Sequence, residues 1–250
     1  MNFVYNTPIL NKINIPNLQF RSAAVNYAEP AGIRQDSFAS NPLYANFVDK
    51  NTLTQIAKSN PRIMDILKEN NIRLNVNSQE LDKLKHGHLM DTRVTAAKMY
   101  SALPPEIKSN VNLSDLQQAA MLHDYGKVLI PEKILNKTSK LNDKERQIMK
   151  LHSELGYELL KDQGVKEEVL NLVKYHHQNP DGSGYPEITN GFKPDISSEI
   201  ITAADKYSAL REKRSYKDAL SRDEALNLIK EDVNNGLISQ EVYNSLEKSV

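Results

Sequence analysis

In the run L-S-D-L-Q-Q-A-A-M-L-H-D-Y-G-K, residues 113–127, Leu116, Ala119, Ala120 and His123 recur at steps of three and four. They share one face of a helix, which carries the His123 imidazole inward with apolar neighbours. Asp124 follows directly on the apolar stretch Ala119-Ala120-Met121-Leu122, so His123 and Asp124 can grip one object between them.

The same helical spacing extends outward from this stretch. Breaks at Pro104-Pro105, Pro131, Asn179-Pro180 and Pro194 divide the chain from residue 78 onward, predicting helices at about 78–102, 113–127, 142–162, 166–177, 196–211 and 222–234, with a short one after Ser239. Asn142 with Glu145, and Ser221 with Glu224, carry the spacing of a capping box. Alternating β-branched runs are absent, so the expected class is all-α, a helical bundle of six or seven core helices.

Histidine placement gives this bundle its chemistry. All six histidines lie between positions 86 and 177. His88 falls in line with Leu81, Leu84, Thr92 and Thr95, His152 with Ile148, Leu155 and Leu159, and His176 with Val169, Leu172 and Val173. His177 joins Leu170 and Val173, and Asp205 aligns with Ile201 and Ser208. His86 has Asp82 and Arg93 as its helical neighbours and is expected in solvent. One inward histidine alone reads as a core residue bonded to a carbonyl. Burying five imidazoles and two carboxylates together would cost several kcal/mol for each uncompensated charge, which a bound cation removes. Imidazole with carboxylate suits Fe, Mn, Co, Ni or Zn rather than Ca. Seven ligands exceed the demand of one ion, so two divalent ions with Asp124 as bridge are expected.

Bulk properties narrow the class further. At 250 residues one core is the default. Basic and acidic residues total 32 each, so no chain-wide field attracts DNA, RNA or an anionic membrane. The chain has no cysteine, which rules out thiolate ligands, a cysteine nucleophile and disulfides. Residues 1–10 lack the pattern of a signal peptide and no long apolar run occurs, from which a cytoplasmic protein is expected. Residues 1–77 read as an N-terminal extension, irregular to about residue 50 and then helical over 53–70 with a break at Pro61; its partner, if any, is not legible. Residues 78–250 form the main domain in this division.

Three strings resemble the HD-GYP branch of the HD superfamily of metal-dependent phosphohydrolases, over about residues 78–230. The first is His123-Asp124-Tyr125-Gly126-Lys127 with Ile130-Pro131 and Ile134-Leu135. The second runs from His176-His177-Gln178 through Asp181-Gly182-Ser183-Gly184-Tyr185-Pro186. The third is Asp205, Ala209, Leu210, Arg214 and Tyr216. The resemblance implies His88, His123, Asp124, His152, His176, His177 and Asp205 as metal ligands, the set that helical spacing had selected. Gln178, Ser208 and Ser215 depart from the family pattern, and Leu84 stands where some members carry a glutamate for a third ion.

Such a centre would lower the pKa of a shared water and supply hydroxide for in-line attack on phosphorus. Asp124 and Lys127 are the expected catalytic residues; Lys127 lies one helical turn after His123, within reach of a phosphate oxygen or leaving group. The loop 181–186 has a composition suited to presenting backbone N–H groups to a ligand. By resemblance Asp181, Gly184, Tyr185 and Pro186 line a cyclic dinucleotide pocket, with Tyr185 stacking on a base and Arg214 clamping phosphate. The expected substrate is cyclic di-GMP. The rivals are another nucleotide substrate and a non-catalytic signalling module that retains the fold.

Overall fold

The computed structural model describes residues 49–86, 88–212 and 218–250, and of Lys85, His86 and His88 the backbone alone. Twelve α-helices lie in these residues: α1 Lys50–Ser59, α2 Pro61–Glu69, α3 Ser78–His86, α4 His88–Ala102, α5 Pro105–Lys108, α6 Leu113–Leu122, α7 Glu132–Leu135, α8 Asp143–Leu160, α9 Glu167–Tyr175, α10 Ile196–Arg211, α11 Arg222–Asn234 and α12 Gln240–Ser249. A 3-10 turn, Tyr125–Leu129, follows α6. No strand occurs among the described residues beyond one antiparallel bridge, His177 with Tyr185. The class is all-α, as the periodicity predicts.

Helix α4 is central, packed by α6, α10 and α12. Its buried Leu89, Ala96 and Met99 belong to one hydrophobic cluster with Leu116, Ala119 and Ala120 of α6, Ile200, Ala203 and Ala204 of α10, and Val242 and Leu246 of α12. The alanines at these contacts let helix axes approach closely, which brings the C-terminal end of α6 near the middle of α10. Helix α8 packs on α9 and on the 3-10 turn. At Gly126 a Cβ would lie 1.9 Å from the His152 carbonyl oxygen and 2.5 Å from Gly156 N, so only glycine allows the turn to sit on α8. That contact sets Asp124 beside His152.

Both predicted capping boxes form: Asn142 Oδ1 accepts from Glu145 N at 2.9 Å and Glu145 Oε2 from Asn142 N at 2.8 Å, and Ser221 and Glu224 exchange the equivalent pair. The break at Pro61 is also as predicted, with Asn60 closing α1 and capping α2. Asn60 is buried and donates to the Glu158 carbonyl at 3.0 Å and to its Oε2 at 2.9 Å, while Arg62 bonds Glu154 at 2.8 Å. Leu53, Ala57, Ile63, Ile66 and Leu67 thereby join the same hydrophobic cluster as the later helices. The irregularity expected of residues 1–48 lies outside the described residues.

Some expected boundaries differ. The stretch predicted as one helix at 78–102 is helical over Ser78–His86 and His88–Ala102, and Gly87 lies outside the described residues. Helices predicted to run through Lys127 and His177 stop at Leu122 and Tyr175. His123 and His176 are their C-caps, and each imidazole Nδ1 bonds the carbonyl three residues back, Ala120 at 2.8 Å and Val173 at 2.7 Å. The ring thereby takes up a carbonyl near the end of the helix.

Candidate metal centre

Four elements deliver the inward residues to one place. His123 and Asp124 come from the end of α6, His152 from mid-α8, His176 and His177 from the end of α9, and Asp205 from α10. His123, Asp124, His152 and His176 are each at most 2% exposed. Asp124 reaches two histidines with different oxygens: Oδ2 lies 3.5 Å from His123 Nε2 and Oδ1 3.4 Å from His152 Nε2. Asp205 Oδ1 is also 3.5 Å from His123 Nε2. Thr202, one turn before Asp205, donates to the His176 carbonyl at 2.6 Å and ties α10 to the end of α9.

The histidine tautomers follow from the backbone. His152 Nδ1 bonds the Met149 carbonyl at 2.7 Å, repeating the arrangement at His123 and His176. A carbonyl only accepts, so Nδ1 carries the proton and each Nε2 turns a lone pair inward. His152 Nε2 and His176 Nε2 are 3.2 Å apart. Burial lowers the pKa of His152 to about 4 and of His177 to about 3, and holds His176 well below its ordinary value. With both rings neutral, two lone pairs face each other at this distance, which is repulsive until a cation comes between them. The donor set therefore fits a metal. Two overlapping groups could hold one: His152 with His176 and His177, and His123 with Asp124 and His176.

Electrostatics around the two acids differ from those at the histidines. Burial would lift the Asp124 pKa, but Lys127, His123 and His152 hold it well below the carboxylate range. Burial likewise opposes charge on His123, yet Asp124 and Asp205 together raise its pKa. Lys127 does not lie on a continuing α6 face as expected. It sits in the 3-10 turn, with Nζ 2.6 Å from Asp124 Oδ2.

The loop 181–186 brings Tyr185 to the centre and leaves Asp181 exposed. Tyr185 stacks on His177, with 4.7 Å between centroids and 27° between planes. The loop's backbone N–H groups are used internally, contrary to expectation: Gly182 N on Asn179 O, Ser183 N on Asp181 Oδ1, Gly184 N on Gln178 Oε1 and Tyr185 N on His177 O, at 2.9, 2.9, 2.6 and 3.1 Å. Asp181 is exposed, and its carboxylate turns the loop. Gln178, buried, also donates to the Pro186 carbonyl at 2.8 Å. The side chain of His88 and all of Arg214 lie outside the described residues.

A family model described as HD domain matches residues 61–242. The chain belongs to the HD domain family. This HD domain is 39% identical over 114 residues to a Xanthomonas campestris protein named cyclic di-GMP phosphodiesterase response regulator, covering 44% of this chain and 30% of that one. It is 35% identical over 147 residues to a Thermotoga maritima cyclic di-GMP phosphodiesterase, covering 57% and 40%. A Vibrio cholerae 3'3'-cGAMP-specific phosphodiesterase is 31% identical over 154 residues, covering 61% and 36%. The chain thus spans two fifths or less of the length of these relatives. A solved Bdellovibrio bacteriovorus structure described as an HDG"Y"P protein shares the fold, with a TM-score of 0.52, 15% identity, and 86% of this chain and 68% of that one covered. No helix of the described residues is long and apolar enough to cross a membrane.

Proposed function

We propose that this HD domain is a metal-dependent phosphodiesterase that hydrolyses a cyclic dinucleotide, with cyclic di-GMP its principal substrate. The observation that carries this reading is the 3.2 Å approach of His152 and His176 through nitrogens already committed to accept, beside a carboxylate in reach of both His123 and His152. His123, Asp124, His152, His176, His177 and Asp205 would hold the ions, with Asp124 offering an oxygen toward each of two histidines and His88 completing the set. Fe, Mn, Ni, Co or Zn suits these donors. When bound, such ions lower the pKa of a coordinated water and offset charge on the phosphoryl oxygens.

The chain's own groups then have separate tasks. Lys127 keeps Asp124 ionised in a buried place, and as an ammonium with three donors it can also serve the leaving oxygen. The Nδ1–carbonyl bonds fix which nitrogen each histidine offers. Tyr185, backed by His177, offers a ring to a base, and Arg214 would clamp a phosphate.

The names of the Xanthomonas and Thermotoga relatives support cyclic di-GMP. The Vibrio relative named for 3'3'-cGAMP favours that dinucleotide as the second reading. Purified protein loaded with Mn or Fe should open cyclic di-GMP in a panel that includes 3'3'-cGAMP and mononucleotides. Turnover of mononucleotides alone would contradict the proposal.

A further inference from the structure

We infer that Lys150 is a specificity residue of this site, an ammonium that rests on Tyr185 and moves to the second phosphate of a dinucleotide as a base takes its place on the ring. The inference rests on the phosphodiesterase reading above. Lys150 Nζ lies over the Tyr185 ring, 4.9 Å from its centroid. His177 stacks on the same ring at 4.7 Å. The imidazole and the ammonium thus both lie against this one phenol ring. A base that stacks on this ring must displace the ammonium from it.

Leaving is easy. The attraction of an exposed ammonium to a ring is weak because the cation is strongly hydrated, and a planar base covers the ring better. Lys150 is exposed, and no carboxylate among the described residues pairs with it. Its situation differs from that of Lys127, whose ammonium is on Asp124, and of Lys174, which spans Tyr157 and Tyr175. Lys150 is rooted two residues before His152 on α8, and the ring it covers is 6.3 Å from the His152 ring. A dinucleotide cleaved at one phosphate leaves its other phosphate charged close by. A flexible four-carbon stem carries an uncommitted cation to it. A substrate with one phosphodiester has no use for this cation, so Lys150 separates dinucleotides from simple diesters.

The test uses the metal-loaded chain with Lys150→Met and Lys150→Arg, on cyclic di-GMP and on bis(p-nitrophenyl) phosphate. Lys150→Met should raise KM for cyclic di-GMP and lower the ratio of kcat/KM values, dinucleotide over simple diester, by about tenfold, the loss of one charge-assisted contact. Lys150→Arg should restore most of the ratio. A ratio unmoved by Lys150→Met overturns the inference. If the wild type cleaves the simple diester but no cyclic dinucleotide, the functional reading fails. Calorimetric binding of cyclic di-GMP then decides Lys150 separately: a Kd about tenfold weaker in Lys150→Met upholds it, and equal values, or no binding by either protein, overturn it.

Discussion

Asp124 is ionised and buried together, a state that Lys127 sustains at 2.6 Å. Replacing Lys127 with Met removes the nearest compensating charge while keeping the stem's volume. Turnover should fall about 10–100-fold, as when a supporting partner of a metal ligand is lost, with metal content measured alongside; unchanged turnover would show the ammonium to be dispensable. The histidines set a pH dependence for the metal-free protein. Folding lowers the pKa of His152 to about 4, of His177 to about 3 and of His176, against about 6.5 in the unfolded chain. Between those values the unfolded chain binds more protons, so stability is full above about pH 6.5 and declines as the pH falls toward 4. His123, shifted upward, opposes this trend alone against three. Urea midpoints of metal-free protein from pH 7 to pH 4 should therefore decrease, and a level series would contradict the assignment. The inward placement of His123, His152, His176 and His177 was legible because each shares a helical stripe with leucine, isoleucine or valine. Lys150 was not, since its role depends on a loop 35 positions away in sequence folding back over α8.

Gly126 and Gly156 form the contact between the 3-10 turn and α8, but they are not equivalent. A Cβ at Gly126 meets backbone at 1.9 Å, whereas one at Gly156 has its nearest contact at 3.2 Å. Gly126→Ala should destabilise by about 1–3 kcal/mol or more, as overpacking does. Gly156→Ala should be close to neutral, because alanine's gain in helix propensity of about 1 kcal/mol offsets the tight contact. Thermal unfolding of the two variants checks the order, and equal losses would count against the packing described. Boundaries at 196–211 and 222–234 could be read from the sequence because Pro194 and the Ser221–Glu224 box mark them with side-chain chemistry. The ends of α6 and α9 could not, since the apolar spacing runs on through His123 and His177 with no glycine or proline directly after Leu122 or Tyr175. Pro105 and Pro131 read as breaks, yet Pro105 is the first residue of one four-residue helix and Pro131 the N-cap of another, places where a missing N–H costs nothing. Glycines in the loop 181–186 suggested free N–H donors, but the pattern did not reveal that Gln178 and its neighbours use them.

At the scale of the whole molecule, helices contributed from residue 50 onward enclose the centre. Asn60 and Arg62 fasten α1 and α2 to α8, the helix that carries His152. Leu53 is fully buried in the common cluster, so Leu53→Ala should cost about 2–5 kcal/mol in global stability, read from chemical unfolding. A loss within about 0.5 kcal/mol, the usual range for surface sites, would mean that these helices are peripheral. The class, the bundle and the converging residues were legible from periodicity. The reach of Asp124 to both His123 and His152 was not, because it depends on distances between elements. The most direct test of the centre is elemental analysis of protein purified without air, wild type beside a His123→Ala, Asp124→Ala double variant. About two first-row ions per wild-type chain, with most of them lost in the variant, is the expected result given the donor set. Equal metal content in the two proteins, or none in the wild type after incubation with Mn or Fe, would contradict it.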